Sequence, residues 1–177
     1  MSLPLENTTI LAHGKFLLLC SREGWEFVHR PNVTGIVAIL AVTEQNEILL
    51  VEQHRKPVAA RVIEIPAGLA GDIEDQTDEP LSTAAQRELL EETGYRAAAM
   101  ELLTQGPPSA GASTEQITLF RARGLTRETQ GGGDGTEDIV VHRAPLATID
   151  AWLREREMHG CQIDPKVYTA LYFAAKP

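Results

Sequence analysis

The strongest constraint on how this chain folds is an acidic stretch, Arg87–Gly94, which reads R-E-L-L-E-E-T-G. Its three carboxylates, at Glu88, Glu91 and Glu92, have the spacing i, i+3, i+4, and such residues share one face of an α-helix. Like charges placed in this way destabilise an isolated helix, so a compensating cation is expected nearby. The stretch is therefore either a solvated acidic face or one wall of a site for a divalent cation, which prefers oxygen ligands.

The residues around this helix favour the cation site. The segment Pro66-Ala67-Gly68 precedes the helix, Glu79 lies eight residues before Arg87, and Gly94 follows the last helical residue, where glycine commonly ends a helix. Together these residues resemble the Nudix box, G-x5-E-x7-R-E-U-x-E-E-x-G-U, in which U is apolar or aromatic. A carboxylate at Glu79, near the helix start, also suits the helix dipole.

One spacing departs from that box. The first glycine of the box is expected at residue 73, but the chain has Ile73 there, and the glycine of the Pro-Ala-Gly segment comes earlier, at Gly68. We interpret the difference as an insertion of five residues within Gly71–Asp78, in a loop between a strand and the helix. Loops of this kind tolerate insertions, so the helix itself is expected to be intact.

The resemblance to the Nudix family implies an α/β/α sandwich with a mixed sheet, and a bound divalent cation, Mg²⁺ with Mn²⁺ as the alternative. It implies Glu88 and Glu92 as the principal metal ligands, Glu91 in a supporting position and the backbone carbonyl of Ala67 as a further ligand. Arg87 is expected in the catalytic site as a side chain that braces a carboxylate rather than contacts the substrate.

Segments outside the box resemble the branch of the family that cleaves ADP-ribose and other nucleoside-diphosphate sugars. They are W-E-F-V-H-R-P at 25–31, E-Q-H-R-K-P-V at 52–58, E-I-P-A-G at 64–68 and S-A-G-A-S-T-E at 109–115. The matches imply that Arg55 clamps the diphosphate, since a guanidinium fits phosphate oxygens. Arg30 is expected either to contact the nucleotide or to hold the N-terminal strands, and Glu115 to lie near the metal and substrate.

Two aromatic residues are candidates for recognising the base. Trp25 and Phe27 alternate along a predicted strand, so both can face the same side. They either stack on a nucleobase, within one subunit or across a dimer interface, or pack in an ordinary core.

The general base is expected to be a carboxylate within reach of the attacking water. Glu92 is one candidate. Glu137 is the other, because the glycine-rich segment Gln130–Asp138 predicts a mobile loop that closes over the substrate. Members that act on ADP-ribose often carry a proline at the position of Ala110, so ADP-glucose and GDP-mannose are also candidate substrates.

Composition excludes several classes of protein. The chain has 177 residues, enough for a substantial core, and a net charge of −9, which argues against nucleic acid or an anionic membrane as a partner. Cys20 and Cys161 form no disulfide framework or metal motif, and neither a signal peptide nor a membrane span is recognisable. We expect a cytoplasmic protein whose partner is a nucleotide sugar.

The order of predicted elements is α+β: strands, a helix, more strands and two further helices. Residues 1–32 are expected to form a small antiparallel strand unit that dimerises, and residues 33–177 the Nudix-type domain. The runs Ile36–Val42 and Ile48–Gln53 predict a hairpin across Gln45-Asn46. Helices are predicted at Asp78–Thr93, at Pro145–Met158, and from Asp164-Pro165 through Phe173.

The resulting hypothesis is a metal-dependent hydrolase that cleaves the diphosphate of ADP-ribose or a related nucleoside-diphosphate sugar, giving a nucleoside monophosphate and a sugar phosphate. Two alternatives stay open. One is hydrolysis of dinucleoside polyphosphates or other nucleotides, and the other is a non-catalytic sensor of nucleotide sugars.

Overall fold

The computed structural model describes residues 5–71, 78–133 and 138–176. Its strands are β1 Thr9–His13, β2 Leu18–Arg22, β3 Trp25–His29, β4 Gly35–Ala41, β5 Glu47–Arg55, β6 Ala60–Glu64, β7 Ala67–Ala70, β8 Tyr95–Gly106, β9 Ile117–Arg127, β10 Val140–Pro145 and β11 Gln162–Ile163. Its helices are α1 Leu81–Thr93, α2 Ile149–Met158 and α3 Pro165–Ala174. No helix in these ranges is long and apolar enough to cross a bilayer.

The first three strands form an antiparallel sheet of their own, in the order β1-β2-β3, as the sequence predicted. We call it the N-terminal sheet, residues 9–29. It is joined to the loop after β8 by two backbone hydrogen bonds: the Val28 N–H donates to Ala112 O over 2.9 Å, and the Thr114 N–H donates to Val28 O over 3.2 Å. These bonds bring β3 alongside the segment that leads into β9.

Two four-stranded sheets make up the rest of the fold, in the orders β7-β4-β9-β8 and β10-β5-β6-β11. Both are mixed, because β4 pairs in parallel with β9, and β6 with β11. The hairpin predicted for β4 and β5 is wrong, since the two strands share only an isolated bridge between Val42 and Ile48. Both strands are largely apolar and buried, and each needs a partner on both edges, so they separate into different sheets.

The helices lie on opposite sides of these sheets and close two cores. One core packs α1 against β4, β8 and β9, with Ala85 and Leu89 of the predicted apolar stripe fully buried and Leu81 packed at its margin. The other core packs α2 and α3 against β4, β5 and β6, with Leu153 and Val167 at its centre. The α/β/α sandwich is therefore confirmed.

Helix α1 begins at Leu81 rather than at the predicted Asp78. Pro80 is the N-cap residue, with φ −60° and ψ 139°, and a proline disfavours helical backbone in the residue before it, here Glu79. At the other end Gly94 adopts φ 77° and its N–H donates to Leu90 O over 2.8 Å, so the predicted glycine C-cap is confirmed.

The C-terminal end of α1 is also bound by the glycines that follow β9. The Gly132 N–H donates to Glu92 O over 2.9 Å, and the Gly133 N–H donates to Glu91 O over 3.0 Å. A Cβ on Gly131 would lie 2.4 Å from the carbonyl carbon of Thr93, so this contact admits only glycine. These glycines satisfy carbonyls that a helix end leaves without partners, while residues 134–137 of the predicted mobile loop lie outside the described residues.

A charged cluster holds the β5, β6 and β10 strands together on the α2 side. The Glu52 carboxylate accepts hydrogen bonds from Arg61 and from His142 Nε2, the latter over 2.9 Å. Arg61 also donates to Asp138 over 2.7 Å, and the His142 ring packs edge-on against Trp152. Burial alone would raise the pKa of Glu52, but the hydrogen bonds from His142 and Arg61 outweigh it and hold the pKa below its ordinary 4.5.

We therefore expect Glu52→Gln to lose stability mainly above pH 4.5. A carboxyl whose pKa is lowered by folding contributes stability above its unfolded-state pKa, and that contribution disappears as the pH falls through the folded-state value. The side chain is only 14% exposed. The variant should lose about 1–3 kcal/mol at pH 7 and much less near pH 3, measured by urea unfolding across pH. The control Glu101→Gln removes an exposed ion pair with Arg123 and should change stability by no more than about 1 kcal/mol.

Candidate active site

One cleft collects most of the residues that the sequence singled out. Its volume is about 490 Å³, and it lies where α1, β5, β7, the start of β9 and the start of α3 approach one another. We call it the carboxylate cleft. Its lining residues are Arg30, Ile36, Gln53, Arg55, Glu64, Ala67, Gly68, Leu69, Glu88, Glu92, Pro108, Glu115, Ile117 and Lys166.

Strand β7 holds the two helix carboxylates of the cleft. Glu92 is only 4% exposed, and its Oε2 accepts the Ala67 N–H over 3.0 Å. Glu88 lies directly over Gly68, where a Cβ would come within 1.9 Å of the Glu88 carboxyl carbon. The Pro-Ala-Gly segment thus leads into a strand that receives these side chains, and its glycine provides the space for one of them.

Arg87 is the cation that compensates the acidic face of α1. It donates to Glu88 Oε1 over 2.7 Å, to Glu79 Oε2 over 3.1 Å and to the backbone oxygen of Leu69 over 3.0 Å. A longer contact of 3.4 Å reaches Glu91 Oε2. Burial by itself would lower the pKa of Arg87, but hydrogen bonds and charge from Glu79 and Glu88 raise it above its ordinary value. The guanidinium therefore stays charged and braces the carboxylates.

This network also assigns a contact to Glu79. The N-cap of α1 is Pro80, and no side chain caps that end. The Glu79 side chain is instead 5% exposed and pairs with Arg87, which ties the segment before the helix to the middle of the helix. Glu79 therefore contacts Arg87, the side chain that orients the helix carboxylates, and does not cap the helix end.

The donor set of the cleft fits a divalent cation that keeps water ligands. Among the described residues, no three Asp, Glu, His or Cys side chains converge on one point as a preformed cluster. Glu88 and Glu92 line the cleft together, whereas Glu91 is exposed and does not line it. Mg²⁺ typically takes one or two carboxylates and completes its shell with water and substrate phosphate, so two carboxylates are sufficient.

The opposite wall of the cleft is cationic. Arg55 Nε donates to Glu64 Oε2 over 2.6 Å, and Lys166 Nζ lies 3.9 Å from the other oxygen of the same buried carboxylate. Arg30 Nε donates to Glu115 Oε1 over 3.1 Å. Sequence reasoning missed Lys166, which lies two residues after Asp164, the N-cap of α3. No local motif marks it, because it reaches the cleft only through the packing of α3.

The two aromatic candidates lie in a separate pocket of about 280 Å³, which we call the aromatic pocket. Trp25 is 65% exposed, and its indole N–H donates to Gly111 O over 2.8 Å. Phe27 lines the same pocket, with the Arg22 guanidinium 5.5 Å from the ring centre. The structure brings the two aromatic residues to each other but not into the lining of the carboxylate cleft.

Glu137 and most of the inferred insertion lie outside the described residues.

The family of the chain follows from a comparison of its sequence with models of protein families. Residues 32–165 match the NUDIX domain. The chain belongs to the Nudix family. This assignment covers both four-stranded sheets and all of α1, including the carboxylates and the arginine that braces them.

Curated relatives and a solved structure agree with that assignment. The chain is 41% identical over 138 residues to an ADP-ribose pyrophosphatase of Bacillus subtilis, covering 77% of this chain and 70% of the relative. It is 39% identical over 135 residues to a methanol dehydrogenase activator of Bacillus methanolicus, covering 76% and 69%. A GDP-mannose pyrophosphatase of Cronobacter sakazakii is 32% identical over 166 residues, covering 83% and 84%. The crystal structure of an ADP compounds hydrolase superposes with a TM-score of 0.70 at 20% identity, covering 94% and 88%, and so shares the Nudix fold.

The contact between Gly68 and Glu88 predicts the effect of Gly68→Ala. The added methyl overlaps a carboxylate at the end of a flexible side chain, so Glu88 is expected to swing away while the fold survives. Affinity for Mn²⁺, measured by calorimetry, should fall by about tenfold or more, since a side chain that supports a metal site contributes on that order. The unfolding temperature should change by only a few degrees. Unchanged Mn²⁺ affinity would show that Glu88 is not a metal ligand in this position.

Proposed function

We propose that this Nudix protein is a divalent-metal-dependent hydrolase that cleaves the diphosphate of ADP-ribose or a related nucleoside-diphosphate sugar, giving a nucleoside monophosphate and a sugar phosphate. The observation that carries the proposal is the charge pattern of the carboxylate cleft. The α1 carboxylates Glu88 and Glu92 line one wall, and the opposite wall carries three cationic side chains with two carboxylates that pair with them, Glu64 and Glu115. A diphosphate with two negative charges is therefore repelled by the carboxylates unless a divalent cation binds with it. In a metal–diphosphate pair, the metal matches the wall of α1 carboxylates and the phosphates match the cationic wall.

The names of the relatives support the substrate class. Two of the three curated relatives are named for cleaving ADP-ribose or GDP-mannose, which are both nucleoside diphosphates joined to a sugar. These substrates share a diphosphate between a nucleoside and a sugar, and that shared group is the one that the cleft fits.

The metal side of the proposal assigns Glu88 and Glu92 as ligands of Mg²⁺, with Mn²⁺ as the alternative, and the Ala67 carbonyl as a further ligand. A divalent cation bound there neutralises phosphate charge and promotes ionisation of the attacking water. The Ala67 N–H holds one oxygen of Glu92 in place, and Arg87 holds Glu88, so both carboxylates are oriented before substrate arrives. Glu92 is the described candidate for the general base.

The substrate side assigns the diphosphate to Arg55, with Arg30 and Lys166 beside it. The buried Glu64 accepts from Arg55 and lies near Lys166, so it fixes both cations at the cleft wall. The aromatic pocket, with Trp25 exposed at its edge, is assigned to the base, because an exposed indole offers a flat apolar surface for stacking.

The assembly that we propose is a homodimer formed through residues 1–32. The N-terminal sheet exposes a set of large apolar side chains, at Ile10, Leu11, Phe16, Leu17, Leu19 and Trp25. A contiguous set of exposed apolar side chains of this size marks a surface that binds a partner surface. A second copy supplies such a surface.

Cys20 and Cys161 are both free thiols, compatible with the reducing cytoplasm as the compartment.

The function is tested by replacing Glu92 with Gln. Wild-type protein with Mg²⁺ should release nucleoside monophosphate from ADP-ribose, ADP-glucose or GDP-mannose faster than from diadenosine polyphosphates. Glu92→Gln should lower kcat by roughly 10²–10⁴-fold. The control Glu101→Gln changes an exposed carboxylate on β8 and should keep wild-type turnover.

Other outcomes identify the alternatives. Faster cleavage of diadenosine polyphosphates would assign the protein to dinucleoside polyphosphate hydrolysis. Binding of ADP-ribose without release of AMP at any Mg²⁺ or Mn²⁺ concentration would assign it as a sensor. Full turnover by Glu92→Gln would exclude Glu92 as both ligand and base.

The homodimer is tested with the double variant Leu11→Asp and Phe16→Asp. Both side chains are exposed, so the charges should leave the fold intact while opposing burial of the N-terminal sheet against a second copy. Sedimentation equilibrium should give about twice the monomer mass for wild type and the monomer mass for the variant. The control Met158→Asp changes an exposed residue of α2, away from that sheet, and should remain dimeric. A wild-type monomer, or a dimeric variant, contradicts the proposal.

A further inference from the structure

A second cavity adjoins the carboxylate cleft at the start of α3. Its volume is about 450 Å³, and we call it the α3 cavity. It is lined by Ala38, Ile65, Thr104, Gln105, Gly106, Pro107, Pro108, Ile117, Leu119, Asp164, Pro165, Lys166 and Thr169. Three of these residues, Pro108, Ile117 and Lys166, also line the carboxylate cleft, so the two spaces share a wall.

The loop between β8 and β9 contributes lining residues to the α3 cavity, the carboxylate cleft and the aromatic pocket in turn. Residues 104–108 line the α3 cavity, Pro108 and Glu115 line the carboxylate cleft, and residues 110–114 contribute to the aromatic pocket. The aromatic pocket and the α3 cavity share no lining residue. A ligand whose diphosphate occupies the carboxylate cleft therefore has a different space available to each of its ends.

The chemistry of the α3 cavity differs from that of the cleft. Its walls include Ala38, Ile65 and Leu119, which belong to or border the buried core, together with the hydroxyl-bearing residues Thr104 and Thr169. The carboxylate of Asp164 is engaged by the backbone N–H and the ammonium group of Lys166. Lys166 stands where the cavity meets the carboxylate cleft. The cavity thus offers apolar surface and hydroxyls to a neutral ring and places its cation toward the phosphate.

We propose that the α3 cavity binds the terminal sugar of the nucleoside-diphosphate sugar and that Thr169 limits the size of the sugar ring. The proposal rests on the proposed function. A sugar has the matching chemistry, since its C–H faces pack on apolar side chains and its hydroxyls pair with polar groups at the rim. The base is left to the aromatic pocket, which is lined by the later residues of the same loop.

The experiment fills the cavity without changing the carboxylate cleft. Thr169→Trp places an indole in the cavity, and Tyr168→Trp, at a half-exposed position of α3 that does not line it, is the matched control. For each protein, kcat/KM is measured with ADP-ribose, ADP-glucose and GDP-glucose. The inhibition constant of ADP, which has the base and the diphosphate but no terminal sugar, is measured against ADP-ribose.

Thr169→Trp should lower kcat/KM by about tenfold or more for ADP-ribose, and further for the larger ring of ADP-glucose. ADP-glucose and GDP-glucose should lose the same factor, because they carry the same sugar. The inhibition constant of ADP should stay within about twofold, and Tyr168→Trp should resemble wild type throughout.

Three results overturn the inference. They are an equal weakening of ADP binding, a loss that follows the base instead of the sugar, and unchanged kinetics with all three substrates. Thr104→Phe, which fills the cavity from the β8 side, gives a second reading if Thr169→Trp does not fold by circular dichroism. Wild-type protein that cleaves none of the three substrates, nor GDP-mannose, refutes the proposed function itself. Wild-type protein that cleaves them, with Thr169→Trp and Tyr168→Trp both keeping wild-type kinetics, refutes only the sugar assignment.

Discussion

The ion pairs of Arg87 are the interaction on which the rest of the site depends. Three carboxylates on one turn and a half of helix repel one another, and Glu79 adds a fourth from outside the helix. The Arg87 guanidinium contacts all but Glu92, which is held by the Ala67 N–H instead. With the charges compensated by Arg87 of the helix and by the Ala67 N–H of β7, α1 can present Glu88 and Glu92 to the cleft. A helix that would be unstable alone thus becomes a fixed wall of the active site.

The sandwich gives this helix its surroundings. The chain passes from β6, which pairs with β5 in one sheet, to β7, which pairs with β4 in the other, and this passage delivers Glu64 and Gly68 to the same cleft. The α3 helix, packed on the other core, contributes Lys166. The glycines after β9 close the C-terminal end of α1. Each wall of the cleft therefore comes from a different part of the chain.

Much of the fold was predictable because its signals are local. The glycine that ends α1, the apolar stripe of Ala85 and Leu89, and the Asp164-Pro165 start of α3 all follow from neighbouring residues. The hairpin was wrongly predicted because an apolar run followed by a turn looks the same whether its strands pair with each other or with distant partners. The contact of Gly132 and Gly133 with α1 was not predictable for a similar reason, since their hydrogen-bond partners lie far away in the sequence.

The sequence by itself determined the Nudix family, through a helix whose acidic spacing and flanking residues are continuous along the chain. It also indicated Arg30, Arg55 and Glu115 as site residues. Only the tertiary structure decided which carboxylates face the cleft, that Glu79 pairs with Arg87, that Gly68 makes room for Glu88 and that Lys166 joins the opposite wall. The physical reason is that charge pairing and close packing act between side chains near in space, and strand pairing sets those distances.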